Sequence, residues 1–158
     1  MLLGRGHPAD LTMKGLEAKR QICVIDGRGG GLGGRLVTGL VLHLGNACDI
    51  IGLGTNAVAA KAMKQAGATR VAVGAEAIAA AVPAAEVILG TLNLVLPGAM
   101  LGEITPEIVS AILSSGAKKV LLPVNRSHVE VVGSEDQTLD RLIRHSLHRV
   151  CSLVAAAS

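Results

Sequence analysis

The sequence predicts a three-layer α/β domain built on an open, mostly parallel sheet of strand order 3-2-1-4-5 with an extra edge strand. Three observations lead there. A strand, a glycine run and a helix follow one another at Gln21 to Arg35, QICVIDGRGGGLGGR. Short apolar runs alternate with helical periodicities along the rest of the chain, the pattern of βαβ units with right-handed crossovers. Some of those runs, such as Cys48 to Leu53 (CDIIGL), are apolar throughout, as in strands covered on both faces.

The first twenty residues carry Gly4, Gly6, Pro8 and Gly15 without a sustained period, so they are expected to form an extension, disordered or clasped to a partner subunit. Residues 21 to 158 form the domain. Gln21 to Asp26 is the first strand. A helix over Leu32 to Leu44 follows, with Leu36, Val37, Leu40, Val41 and Leu44 on one face, and Gly45 and Asn46 stop it. The second strand, Cys48 to Leu53, leads to Gly54, Thr55 and Asn56 and a small helix at Ala57 to Ala66. Thr69 to Val73 is a short third strand, and Ala75 to Val82 an alanine-rich helix. Glu86 to Leu89 is the fourth strand, leaving through Gly90 and Thr91. Asn93 to Leu101 fits a short helix or a buried loop equally. Thr105, Pro106 and Glu107 have the chemistry of a helix start, with Thr105 as the cap, for a helix reaching Ser115. Lys118 to Val124 is the fifth strand, Asn125 to Ser127 a tight connection, and the alternation in His128 to Val132 an antiparallel edge strand. A last amphipathic helix covers Gln137 to Ala156.

Composition narrows the function. The chain has 158 residues, enough for one ordinary domain but not for a second, substrate-binding one. Half of it is hydrophobic and the mean hydropathy is +0.52, yet Val87 to Gly102, the longest weakly charged run, falls short of the ~20 apolar residues of a membrane span. No membrane partner is expected. Phe, Tyr and Trp are absent, which removes base stacking on aromatic platforms and any tyrosine acid. The net charge is +3, most of it in the first twenty residues, so no nucleic-acid partner is expected either. Arg5, His7, Pro8 and Asp10 interrupt any signal-peptide core, and Cys23, Cys48 and Cys151 read as free thiols, so the expected location is cytoplasmic.

The glycine turn carries the functional expectation. Gly27, Gly31 and Gly33 fit GxxxGxG, and Gly29, Gly31 and Gly34 fit GxGxxG one step later; no GK[ST] follows, which sets a P-loop aside. Such turns bring backbone N–H groups and a helix N-terminus to a phosphate, although glycines also serve close strand–helix packing alone. Gly27, Arg28, Gly29, Gly30, Gly31, Leu32 and Gly33 are therefore expected on a nucleotide phosphate. Gly54, Thr55, Asn56, Gly90, Thr91, Asn125 and Arg126, at the exits of strands two, four and five, are expected around the remainder. NAD in its usual pose wants a carboxylate at the end of strand two, where this chain has none. Thr55 and Asn56 can instead donate to a 2′-phosphate or to a mononucleotide, or Asn56 can merely cap the next helix. NAD(P) or another nucleotide is the expected cofactor, and no metal. Asp26, Glu103 and Arg126 are candidate catalytic groups. Asp26 stands where a neutral residue is expected before the first glycine and can repel a phosphate, orient Arg28, or act as acid, base or metal ligand; Arg126 can anchor an anionic substrate; Glu103 can face the crevice or solvent. His128 with Glu130 suits a polar edge better than chemistry, and His145, His148 and Cys151 lack a fourth metal ligand.

Four segments together carry a resemblance: VIDGRGGGLG at Val24 to Gly33, GLGTNA at Gly52 to Ala57, MLGEITP at Met100 to Pro106 and AKKVLLPVNRSHVEVVG at Ala117 to Gly133. Over Gln21 to Val150 the chain resembles a small bacterial family of Rossmann-like proteins, a domain of unknown function. The resemblance implies a nucleotide-binding type of fold and brings no activity, substrate or catalytic residue with it. GAEAI at Gly74 to Ile78 departs from the GENAI of that family, so no role is carried to Glu76. The expected function is binding of a nucleotide or dinucleotide phosphate at the glycine turn, in a homo-oligomer; the alternatives are an NADP-linked oxidoreductase completed by dimerisation, and a non-catalytic oligomeric or regulatory module.

Overall fold

The computed structural model of the chain describes residues 19–124 and 128–157. Among these residues five strands alternate with five α-helices: β1 (Arg20–Asp26), α1 (Gly31–Leu44), β2 (Cys48–Gly54), α2 (Ala57–Gln65), β3 (Arg70–Val73), α3 (Ala75–Ala81), β4 (Val87–Thr91), α4 (Pro106–Ser114), β5 (Lys118–Leu122) and α5 (Leu139–Ala157). All strands are parallel, in the order β3-β2-β1-β4-β5, with Val24 level with Gly52 on one side and Leu89 on the other. No helix among the described residues is long and apolar enough to cross a membrane.

The alternation of side chains along each strand divides the core into two layers. Ile22, Val24, Ile50, Val87 and Leu89 pack with Leu36, Val37 and Leu40 of α1, Met63 of α2, and Ile143, Leu147, Val150 and Val154 of α5. Cys23, Ile25, Ile51, Leu53 and Ile88 pack on the other side with Ile78 of α3 and Ile108, Val109 and Ile112 of α4. In β1 the residues from Ile22 to Ile25 are no more than 1% exposed, which is why the strand reads as an unbroken apolar run. Each such aliphatic side chain contributes about 1.5–3 kcal/mol of burial, and this core is assembled without one aromatic ring.

The helix starts follow their capping chemistry. Asn56 Oδ1 accepts from Ala59 N at 2.9 Å at the head of α2, and Thr105 Oγ1 from Ile108 N at 3.2 Å at the head of α4. Arg141 N donates to Thr138 Oγ1 at 3.2 Å at the head of α5. The head of α1 differs: its cap is Gly30, at φ 73°, with no side chain to offer.

The expected edge strand at His128 to Val132 is not a strand. His128 has φ 57°, and the segment closes in a turn in which Ser134 N donates to Val131 O at 3.1 Å. Of the two alternating valines Val129 is 36% exposed and Val131 only half-buried, so the alternation there has no apolar layer to pack on. Asn93 to Leu101 resolves into a short helical turn, Leu92–Val95, followed by a loop. Ile143, Leu147, Val150 and Val154 of the α5 stripe are buried in the core, Leu142 and Leu153 are partly buried, and Leu139 is 42% exposed. The extension before residue 19 lies outside the described residues.

Candidate functional site

From β1 the chain moves by way of α1 to β2, and from β4 by way of α4 to β5 on the opposite side. Adjacent strands whose connections leave in opposite directions splay apart at their carboxyl ends, and a crevice opens there. A cavity of about 750 Å³ occupies this place. It is lined by residues 26–32 from the glycine turn and by Asn93 and Leu96–Leu101 from the loop after β4, with Val129 at its edge. Its size suits a small-molecule ligand.

The turn is held by its own backbone. Gly30 N donates to Gly27 O at 3.0 Å, Gly34 N to Gly30 O at 2.8 Å, and Thr55 N to Asp26 O at 3.0 Å. Arg28 takes a left-handed φ of 52° to close the turn, and its side chain is exposed with no ion pair among the described residues. Asp26 is 8% exposed and reaches over the turn: Oδ1 accepts from Gly27 N at 2.8 Å and Oδ2 from Gly33 N at 2.6 Å. It does not orient Arg28. Burial pushes its carboxyl above the ordinary value, against the two amides, which pull it down. The N–H groups of Arg28, Gly29, Gly31 and Leu32 make no hydrogen bond among the described residues. Gly31 and Leu32 are the first two residues of α1, where the positive end of a helix leaves donors unsatisfied.

The glycines divide into two kinds. A Cβ on Gly33 would lie 2.7 Å from Asp26 Cβ and 3.0 Å from Met63 Sδ, so packing demands glycine there. At Gly29 and Gly31 nothing stands within 4 Å, and both line the cavity. No packing contact explains them. Close approach of a ligand to the backbone would.

The opposite wall is a strained loop. Met100, Leu101 and Gly102 are consecutive left-handed residues, at φ 56°, 56° and 88°, a conformation costing an ordinary residue roughly 1–2 kcal/mol. Internal bonds hold it: Gly98 N to Ile104 O at 2.8 Å, Gly102 N to Gly98 O at 3.0 Å and Ile104 N to Ala99 O at 3.1 Å. Glu103 completes the fastening, since its Oε1 accepts from Thr55 Oγ1 at 2.7 Å and from Asn56 Nδ2 at 3.3 Å.

The residues singled out in the sequence therefore fall into several different places. Asp26, Gly27, Arg28, Gly29, Gly30, Gly31 and Leu32 line the cavity, with the amide of Gly33 spent on Asp26. Thr55 and Asn56 gather on Glu103 beside it. Gly54 and Gly90 do not line it: a Cβ on Gly54 would meet Ala60 N at 2.6 Å, and one on Gly90 Ile25 O at 2.8 Å, so both serve packing. Thr91 is 2% exposed, and its hydroxyl has no partner among the described residues. Asn125 and Arg126 lie outside the described residues. His128 and Glu130 are exposed, and no group of three metal-ligating side chains occurs among the described residues. The sequence reading missed Met100, Leu101 and the buried Asn93, whose only signal was the Pro97-Gly98 turn inside an apolar run.

Fold and site together define a parallel α/β domain with a crevice at the point where strand order reverses. Residues 21–155 match the family described as Domain of unknown function (DUF3842), and the chain belongs to that family. No curated protein and no solved structure matches it significantly.

Proposed function

We propose that the protein binds the phosphate of a nucleotide or related small molecule at the glycine turn. One observation carries this reading: the amides of Gly29, Gly31 and Leu32 have no acceptor among the described residues and belong to residues lining a cavity at the head of α1. Oriented donors at a helix N-terminus are matched to an anion. Arg28 adds a cation at the same turn.

The engagement of Thr55 and Asn56 with Glu103 weighs against an NADP-linked reductase, which would need their donors for a 2′-phosphate. The burial of Ile143, Leu147, Val150 and Val154 weighs against a module that oligomerises through that face of α5. The three cysteines are all unpaired, which supports a reducing, cytoplasmic setting.

Isothermal titration with ADP, ATP, NAD(H), NADP(H) and inorganic pyrophosphate tests the reading. Binding at millimolar or tighter affinity, weakened at least tenfold by Gly29→Val or Gly31→Val, is expected. Absence of binding by all of these probes would contradict it.

A further inference from the structure

A second, shallower cavity of about 510 Å³ lies between Gly30, Gly31 and Gly34 and the residues Ala62 and Gln65 of α2 with Ala66 just after it, and does not reach the end of β2; the crevice itself lies on the other side of the turn. It runs from residues 26–32 toward the loop after β4 and Val129, and includes neither Thr55 nor Asn56. At the end of β2, a dinucleotide laid across a switch point seats its second nucleoside. In this chain the side chains of Met100 and Glu103 stand beside Gly27 and Thr55 at that strand end. A Cβ placed on Gly27 would lie 2.5 Å from Thr55 Oγ1, 2.7 Å from Met100 Sδ and 3.4 Å from Glu103 Oε1. The Met100 thioether is not loosely placed, because its backbone sits in the stitched left-handed turn and accepts from Glu103 N at 3.1 Å. Glu103 is fastened by the Thr55 hydroxyl and the Asn56 amide, and Asn56 is itself fixed as the cap of α2. Opening this side would strip a half-buried carboxylate of two charge-assisted hydrogen bonds.

We propose that the site takes a compact phosphorylated ligand, of mononucleotide size or smaller, and rejects dinucleotides, with Glu103 and Met100 setting the limit. This rests on the phosphate-binding reading above. A ligand whose phosphate meets the amides of Gly29, Gly31 and Leu32 extends toward Asn93 and the loop after β4, and has no second arm over β2.

The test compares a dinucleotide with its own halves. Titrations of the full chain with inorganic pyrophosphate, AMP, nicotinamide mononucleotide and NAD⁺ are run at one ionic strength on the wild type, Glu103→Gln, Glu103→Ala and Met100→Ala, with melting temperatures recorded alongside. At least one of the three smaller probes is expected to bind the wild type tenfold or more tightly than NAD⁺. Glu103→Gln keeps an oxygen for Thr55 and preserves that ratio, whereas Glu103→Ala and Met100→Ala reduce it to threefold or less. NAD⁺ binding the wild type as tightly as its better half, with pyrophosphate still bound, overturns the size limit and leaves the phosphate site standing. A ratio unchanged in both alanine variants overturns the role of Glu103 and Met100. Failure of every probe to bind overturns both readings.

Discussion

The carboxylate of Asp26 and the backbone amide of Gly33 meet at 2.6 Å, joining the last residue of β1 to the third residue of α1 across the whole glycine turn. An internal carboxylate thus takes one of the donors that a helix N-terminus presents, and leaves the first two for something else. Burial outweighs the two amides and raises the Asp26 carboxyl above 3.8. Between that ordinary value and the raised one, the folded chain holds a proton that the unfolded chain has lost. Folding stability from this group therefore falls as pH rises through the window and levels off above it. Denaturant titrations of wild type and Asp26→Asn across the acid range should show the wild type losing ground to the variant as pH rises. A wild-type advantage that grows with pH would mean that the amides prevail over burial.

Gly33→Ala forces a methyl against Asp26 and Met63 and should cost on the order of 1–3 kcal/mol of stability. Gly29→Ala meets nothing within 4 Å and should leave stability unchanged within about 0.5 kcal/mol or raise it slightly. Thermal melts of the two variants check this, and equal losses would show that the turn is constrained by packing throughout.

Thr55→Val keeps the shape of residue 55 and removes the donor to Glu103. A loss of about 1 kcal/mol is expected, with faster limited proteolysis within residues 98–102, where Leu101 is already 91% exposed. Unchanged cleavage there would show that the loop is held by its own backbone bonds alone.

The cysteines give a check on the core. Burial pushes the Cys23 thiol up to about 11 and raises Cys48 and Cys151 as well; Cys23 and Cys48 are 0% and 3% exposed. A thiol-reactive disulfide reagent should modify Cys151 alone in the native protein near neutral pH, and all three after denaturation. Rapid native modification of Cys23 would contradict the placement of β1 at the centre of the sheet.

The alternation of elements was legible because most of the signals are local. The apolar runs of β1, β2 and β4 are covered on both faces, and Asn56 and Thr105 cap α2 and α4 through bonds to the third residue onward. The strand order is that of a doubly wound sheet whose first strand carries the glycine turn. The segment His128 to Val132 misled because alternation is evidence of a strand only where one set of side chains has a layer to enter, and here Val129 is 36% exposed and Val131 only half-buried. The glycine turn was legible as a site, whereas its partners were not. Glu103 reaches Thr55 across 48 residues of sequence, and the left-handed residues Met100 and Leu101 carry no composition that favours that conformation. The Asp26 side chain stood in the motif where a neutral residue is expected, and only the fold shows that it fills the place of an N-cap.

The most direct test of the central claim is an amide proton–nitrogen NMR titration of the full chain with inorganic pyrophosphate. The resonances of Gly29, Gly31 and Leu32 should shift most, with Gly27 and Gly33 shifting little because Asp26 already holds their amides. Shifts confined to other regions, or none at millimolar pyrophosphate, would contradict the assignment of these amides as a phosphate site.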